Sequence, residues 1–289
     1  MKGYKGVTNE IISKLQQGTI PWRQTWRSGL PCNVMSRKPY KGINVWLLSN
    51  HEYKSNLWLT FNQAKLLGGC ISKGEHGRQI VYWALRKKLW TDDLGEEHRD
   101  NIPLLRTYTV FNIEQTNVNM DTETKGFDPI IGAQRVLDKY EDCPEIILGE
   151  PSYNQELDKI RMPSISAFNS ADEYYSTLFH ELSHSTGHRK RLNRNIRSHY
   201  GSDSYAEEEI VAEMSASFLS GIAGIDVYSK TIDNSAAYIQ HWCSRFGENA
   251  KLIVRLSSQA QKSADWILGN RQHNEDDEAS NWIRGNENE

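Results

Sequence analysis

Residues 170–188 read SADEYYSTLFHELSHSTGH, and they include the pattern HELSH at residues 180–184. Ser170 followed by Glu173 is typical of a capping box, so the sequence predicts a helix that starts after Ser170 and runs through the pattern. Two histidines four residues apart lie on one face of a helix, where both imidazoles can bind one metal ion. The stretch therefore predicts a helical metal site. The alternative is a buried helix with two hydrogen-bonded histidines.

The pattern assigns distinct roles to its residues. His180 and His184 are the predicted metal ligands. Glu181 lies one position further round the helix and can reach a metal-bound water, which suits it to general-base catalysis. A catalytic zinc site has three protein ligands and one open position, so a third ligand is needed. The longer pattern with a third histidine fails, because Lys190 stands at that position.

A second predicted helix, over residues 205–223, offers carboxylates for the third position. Glu209 and Glu213 are four residues apart and share one face. We expect Glu209 to be the third ligand and Glu213 to orient a ligand histidine, although spacing alone leaves the reverse assignment open. Glu207 and Glu208 are expected to face solvent.

Charge is unevenly distributed along the chain. The 289 residues carry a formal net charge of −3, but residues 1–91 hold 15 Lys and Arg against 3 Asp and Glu, a balance of +12. The remaining residues have a balance of −15. Six of the nine tryptophans also lie in the basic part. Cations neutralise phosphates and aromatic rings stack on bases, so this segment suits a nucleic acid. A basic fold with a tryptophan-rich core is the alternative.

Composition excludes several classes of protein. No window approaches 18 apolar residues, so the sequence predicts no membrane span. The first residues lack the apolar core of a secretory signal. The four cysteines lie far apart and form no close pair, which argues against a disulfide scaffold and against a cysteine zinc cluster. We therefore expect a soluble protein in a reducing, cytoplasmic setting.

The predicted fold class is α+β with two domains. An α+β domain over residues 1–125 contains a capped helix after Thr60 and strands over residues 70–72, 79–89 and 104–113. Residues 114–127 are polar and aperiodic, as in a linker. A helical domain with a small β-sheet covers residues 126–289 and ends in an acidic tail from about residue 269. Residues 157–162 are expected to form an edge strand along which a peptide could lie.

Two stretches also resemble a known family. The first comprises YKGIN at residues 40–44, WLTFNQA at 58–64, Gly68 and KGE at 73–75. The second comprises DKIRMP at residues 158–163, tyrosines 174 and 175, HELSHSTGH at 180–188 and the pair at 191–192. The chain resembles ArdC-type antirestriction proteins of conjugative plasmids over residues 4–268.

The resemblance implies a single-stranded-DNA-binding domain followed by a zincin-like metallopeptidase domain, in a protein that protects incoming DNA during conjugation. It implies a divalent metal, zinc or alternatively manganese, in a gluzincin-like site, and an unknown protein or peptide substrate. The residues that we expect to bind DNA combine basic and aromatic side chains of the first domain: Arg37, Lys38, Tyr40, Lys41, Trp46, Lys73 and Arg78. Trp46 lies in an apolar run, so a place in the core is equally open for it.

Two other functions fit the same features. One is a single-stranded-DNA-binding protein whose metal site is purely structural. The other is a DNA-dependent protease that cleaves DNA-bound proteins. The sequence leaves open which protein would be cleaved.

Overall fold

The structure is a computed structural model that describes residues 2–23, 29–48, 53–91, 97–119, 129–194, 203–225 and 236–270. Three features that the sequence predicts lie wholly or largely outside these ranges. They are the linker at 114–127, the domain boundary at 125 and the acidic tail after 269. The division into two domains therefore stays a prediction.

The chain has a mixed α+β architecture, which confirms the predicted fold class. In chain order the elements are α1 (Lys2–Gln16), β1 (Cys32–Asn33), α2 (Ile43–Leu48), β2 (Leu57–Thr60), α3 (Phe61–Leu66), β3 (Arg78–Thr91), β4 (Glu97–Asn112), α4 (Pro129–Asp138), β5 (Glu145–Leu148), β6 (Ser152–Asn154), β7 (Lys159–Met162), α5 (Ala171–Ser185), α6 (Asp203–Ala223), α7 (Ala236–Glu248) and α8 (Leu252–Ile267). None of the helices in the described ranges is long and apolar enough to cross a bilayer.

The first sheet has the strand order β1-β2-β4-β3. Its largest part is the antiparallel hairpin of β3 and β4, whose register runs from Arg78 opposite Val110 to Thr91 opposite Glu97. The hairpin confirms the two long strands predicted here. The strand predicted over residues 70–72 is wrong, since only Ile71 forms an isolated bridge, with Thr116.

Side-chain caps begin the two helices for which the sequence predicts a capping box. Thr60 accepts from the backbone of Gln63, and the Gln63 side chain accepts from the Thr60 backbone, which fixes the start of α3. At α5, Ser170 Oγ accepts from the backbone of Glu173 at 3.1 Å. The Glu173 carboxylate accepts from the backbone of Asn169, so the acidic residue secures the residue before the cap.

The second sheet has the order β5-β7-β6, with β5 parallel and β6 antiparallel to β7. The prediction that residues 157–162 form an edge strand is wrong, because β7 is paired on both sides. In the part of the chain that the structure describes, β5 and β6 are the edges. Strands β6 and β7 pack against α5, so the edge nearer the HELSH helix is β6.

The largest hydrophobic core draws on both halves of the chain. The tryptophans Trp22 and Trp46 are fully buried in it together with α6. The ring of Trp46 stacks on Phe218 of α6, with centroids 4.7 Å apart and an interplanar angle of 17°. The indole of Trp22 donates to Glu213 Oε2 of α6 at 2.9 Å. Residues of the basic segment thus complete the packing around the helix that follows the HELSH motif.

We expect Trp46→Ala to lower the free energy of unfolding by about 3–5 kcal/mol, because it leaves a large cavity against Phe218. Leu66→Ala, at a side chain that is 64% exposed on α3, is the matched control and should change it by less than about 0.5 kcal/mol. Urea denaturation of the full chain measures both. Equal losses in the two variants would contradict the core position of Trp46.

Candidate metal centre

Two consecutive turns of α5 and one turn of α6 bring together three side chains of types that can bind a metal ion. The Nε2 atoms of His180 and His184 are 3.1 Å apart. Glu209 Oε2 lies 3.5 Å from His180 Nε2, and Glu209 Oε1 lies 3.5 Å from His184 Nε2. One ligand atom from each of the three residues falls within a common span of 4.8 Å.

These separations can be compared with those of a tetrahedral metal site. Metal–ligand bonds of about 2.0–2.1 Å at tetrahedral angles place neighbouring donor atoms about 3.3–3.4 Å apart. The two imidazole nitrogens, 3.1 Å apart, lie close to this value, and each of them is 3.5 Å from a different oxygen of Glu209. Two imidazole nitrogens and one carboxylate form a donor set that suits a divalent ion and leaves a fourth position for a small ligand.

Glu181 follows His180 on α5 and is buried, with 5% of its surface exposed. Its charge is one of those that raise the pKa of His184. Among the described residues, Glu181 is not one of the trio whose ligand atoms lie within 4.8 Å of one another.

Carboxylates dominate the electrostatics of the centre. Burial alone would lower the pKa of His184, but a hydrogen bond to Glu208 and the charges of Glu209 and Glu181 raise it to about 9. Burial would raise the pKa of Glu209, yet the hydrogen bond with His180 and the charge of His184 lower it to about 2. A phenol hydrogen bond from Tyr205, one turn earlier on α6, acts in the same direction. The carboxylates therefore favour positive charge at this site.

Glu208 forms a hydrogen bond with His184 that the sequence did not predict. The expectation that Glu208 faces solvent is wrong: it is 8% exposed, and its Oε1 lies 3.2 Å from His184 Nδ1. Arg194 holds the same carboxylate with two hydrogen bonds of 2.8 and 2.9 Å. Arg194 also donates to the Ser183 carbonyl at the end of α5. A carboxylate that receives the second ring nitrogen fixes the orientation of a ligand histidine.

Glu213 has a different place from the one expected. Among the described residues, the group of ligand atoms within 4.8 Å contains Glu209 and not Glu213. Glu213 instead accepts from the buried indole of Trp22. The contact with a histidine of the trio that was expected of Glu213 is made by Glu208, one position before Glu209. Neighbouring helix positions point about 100° apart, so the sequence alone did not show which of these glutamates faces α5.

The segment after α5 is anchored to the second sheet. Arg191 makes two hydrogen bonds to Asp158, of 2.8 and 3.0 Å, and donates to the Ser185 carbonyl. Asp158 adopts a left-handed conformation with φ of 50° in the turn between β6 and β7. His188 Nδ1 lies 3.9 Å from Asp158 Oδ2. These contacts fix the sheet edge relative to the two histidines.

The expected DNA-binding residues lie in two surface regions, and Trp46 lies apart from both. Arg37, Lys38, Tyr40 and Lys41 lie on one turn between β1 and α2. Lys73 lies on the exposed turn before β3, and Arg78 begins that strand, with Nη1 3.9 Å from Glu10 Oε1 of α1.

Trp46 belongs to neither surface. Its side chain is fully buried against Phe218, so a base has no access to the ring. The expectation that Trp46 contacts DNA is therefore wrong. The alternative that the sequence left open, a place in the core, is confirmed.

Two family models match the chain. Residues 1–111 match the N-terminal domain of anti-restriction factor ArdC, and residues 145–259 match a zincin-like metallopeptidase. The second match contains all three side chains of the trio.

Relatives align with both halves of the chain. A protein named DNA primase TraC from Escherichia coli is 30% identical over 295 residues, which cover 92% of this chain and 27% of that protein. Another Escherichia coli protein of that name is 29% identical, with 19% of its length covered. The chain thus spans about a quarter or less of the TraC proteins that it matches. The protein y4eC of Sinorhizobium fredii is 28% identical, with 91% of each chain covered.

Two solved structures have the same fold along almost their full length. The metal-free structure of the antirestriction ArdC protein from plasmid R388 is 34% identical, with a TM-score of 0.76, and the match covers 93% of this chain and 99% of that one. Its Mn(II)-bound structure gives a TM-score of 0.72 at the same identity, with 94% and 98% covered. The joint match of sequence, fold and both domain models shows that the chain belongs to the ArdC family of antirestriction proteins, with a zincin-like domain in its second half.

Proposed function

We propose that this ArdC-family protein binds single-stranded DNA and hydrolyses peptide bonds with a divalent metal held by His180, His184 and Glu209. The observation that carries the peptidase half is the cluster of ligand atoms within 4.8 Å, with Glu181 buried on the same helix and close enough to His184 for its charge to act on that ring. The proposed biological role is protection of incoming plasmid DNA during conjugation, in line with the family.

The proposed metal is zinc, because two imidazoles and one carboxylate form a ligand set used by catalytic zinc. The R388 protein has been solved with Mn(II), so manganese is the alternative. A bound ion would polarise the peptide carbonyl and lower the pKa of a coordinated water. Glu181 would accept the proton of that water and deliver it to the leaving amine.

The proposed peptide position is along β6. This strand is an edge of the second sheet and packs against α5, the helix that carries both histidines. An extended peptide can add to such an edge through main-chain hydrogen bonds, which gives affinity with little demand on sequence. Tyr153 of β6 is held by a 2.8 Å hydrogen bond from its phenol to Asp158, which joins this strand to the turn before β7.

Single-stranded-DNA binding is proposed for the first half of the chain. Its support is the +12 balance of residues 1–91 and the match of residues 1–111 to the ArdC N-terminal domain. The exposed side chains of Lys38 and Lys73 lie in this half. The phosphate backbone attracts such a surface regardless of base sequence.

Substitutions separate the roles of the metal site. We expect His180→Ala and His184→Ala to abolish stoichiometric zinc binding, measured by isothermal titration. Glu181→Gln should retain zinc and lower peptidase activity by about 10²–10⁴-fold, the usual contribution of a general base. Fluorogenic peptide mixtures, with and without single-stranded DNA, provide the activity measurement. Loss of zinc from Glu181→Gln would contradict its role, and zinc binding with no cleavage by the unmodified chain would favour the structural-metal alternative.

The Glu208 carboxylate provides a second prediction. We expect Glu208→Gln to weaken zinc binding by about 10–100-fold, because the His184 ring loses its charged partner. Glu207→Gln is the matched control one residue away, since Glu207 pairs with Arg245 and Arg255 instead of a ligand histidine. Competition with a chromophoric chelator measures both affinities. Equal zinc affinities in the two variants would rule out an orienting role for Glu208.

Salt dependence tests the DNA half. We expect the full chain to bind oligo(dT) with an affinity that falls linearly with salt on a double-logarithmic scale, with a slope of about −0.7 per phosphate contact. Mixed-sequence single strands should bind within a few-fold of oligo(dT), because phosphates carry most of the contact. Fluorescence anisotropy of labelled oligonucleotides measures this. An affinity that does not change with salt would refute the electrostatic basis of the proposal.

A further inference from the structure

We propose that a cleft lined by Tyr40, Tyr82 and Tyr108 takes up one nucleobase of the single strand, with Lys38 on the adjacent phosphate. This inference rests on the proposed DNA binding and assigns it a site. The cleft lies between the turn after β1, helix α2 and the β3–β4 hairpin, and its volume is about 230 Å³. Apolar cavities of about 150 Å³ accommodate a benzene ring, so a single heteroaromatic base fits.

The walls of the cleft are suited to a flat, apolar ring. Ile80 and Val81 give the cleft apolar lining, and the three phenol rings provide aromatic surface. Tyr82 and Tyr108 face each other across the hairpin in an edge-to-face arrangement with centroids 6.3 Å apart. Aromatic side chains bind bases by stacking with little selectivity for sequence, which is what a single-stranded-DNA-binding protein requires.

Hydrogen bonds hold the floor of the cleft in place. The Asn44 side chain of α2 pairs with the backbone of Val81, accepting from its N–H at 2.8 Å and donating to its carbonyl at 2.7 Å. Asn44 thereby ties α2 to the outer edge of β3. The cleft is consequently present before a ligand arrives, which limits the entropy lost on binding.

The turn that carries the lysine is also fixed. Asn33 Oδ1 accepts from the backbone of Met35 at 3.0 Å and of Ser36 at 3.1 Å. Arg37 then adopts the left-handed conformation, with φ of 56°, and reverses the chain. Lys38 follows on the exposed side and lines the rim of the cleft. Its ammonium is positioned to meet a phosphate while the neighbouring base enters.

Lys41 is a weaker candidate for that phosphate. Its Nζ lies 3.6 Å from Asp265 Oδ2 of α8, and the Asp265 side chain is only 4% exposed. Moving Lys41 to a phosphate would take an ion-pair partner from a buried carboxylate, which is costly. Lys38 therefore has the greater freedom to bind DNA, although the sequence offered both lysines equally.

The test compares two probes on the full chain. One is a labelled 12-mer of dT, and the other is a 12-mer of the same backbone in which every base is replaced by an abasic tetrahydrofuran. We expect Tyr108→Leu to weaken binding of the dT strand at least about fivefold, since one stacked base is lost, and to leave binding of the abasic strand unchanged. Tyr108→Phe keeps the ring and should restore binding.

Charge and control variants complete the experiment. Lys38→Ala should weaken both probes and reduce the salt slope by about 0.7, the loss of one phosphate contact. Lys139→Ala, at an exposed lysine in the second half of the chain, is the matched control for loss of one charge, and it should leave binding of both probes and the salt slope unchanged. Phe61→Leu, at a ring that is 49% exposed on α3, controls for loss of an aromatic side chain.

The outcomes are distinguishable. If the unmodified chain does not bind the dT strand, the proposed DNA binding itself is wrong. If the unmodified chain and Tyr108→Leu bind the dT strand equally well, the cleft does not bind a base. The same conclusion follows if Tyr108→Phe is folded and binds the dT strand as weakly as Tyr108→Leu. If Tyr108→Leu weakens both probes alike, the tyrosine acts through the fold and the inference is overturned.

Discussion

The structure depends on one helix, α6, that is buried on nearly every side. All residues from Ile210 to Gly221 are buried, and α4, α5, α8 and the short turn at Pro21–Arg23 all pack against it. Small side chains on α6 allow this close approach. The hydroxyl of Ser215 bonds to Ser263 of α8, which in turn pairs with Thr186 at the end of α5. Because Glu209 lies on the first turns of α6, this packing sets its distance from the two histidines.

Short-range patterns predicted much of the fold and part of the site. The spacing of the HELSH histidines, the cap at Ser170 and the capping box at Thr60 are local features that residue types reveal directly. The orienting carboxylate could not be predicted this way, because Glu207, Glu208 and Glu209 point to different sides of α6 and only the position of α5 decides which side matters. The role of Arg194 could not be predicted either, because its partner Glu208 is 14 residues away on another element.

Tertiary contacts also decided the places of the aromatic residues and the strands. A tryptophan in a basic segment suits a base or a core equally, and the proximity of Phe218 placed Trp46 in the core. Residues 157–162 have the composition of any short strand. Their central position in the sheet follows from a parallel partner, Glu145–Leu148, that lies before β6 in the chain. Pairings of this kind connect distant residues and leave no local signature.

The hydrogen bond from Trp22 to Glu213 joins the segment that precedes the first sheet to the helix of the metal centre. Thr8 of α1 similarly donates to the carbonyl of Ala250. A gene rearrangement that separated the two halves would leave a buried carboxylate without its donor and a tryptophan surface open to water. Inheritance as a single block avoids both costs. The two TraC proteins match 92% and 91% of this chain as one continuous alignment within much longer chains. An exchange point inside this block would break the contacts that join its halves, whereas one outside it would leave them intact.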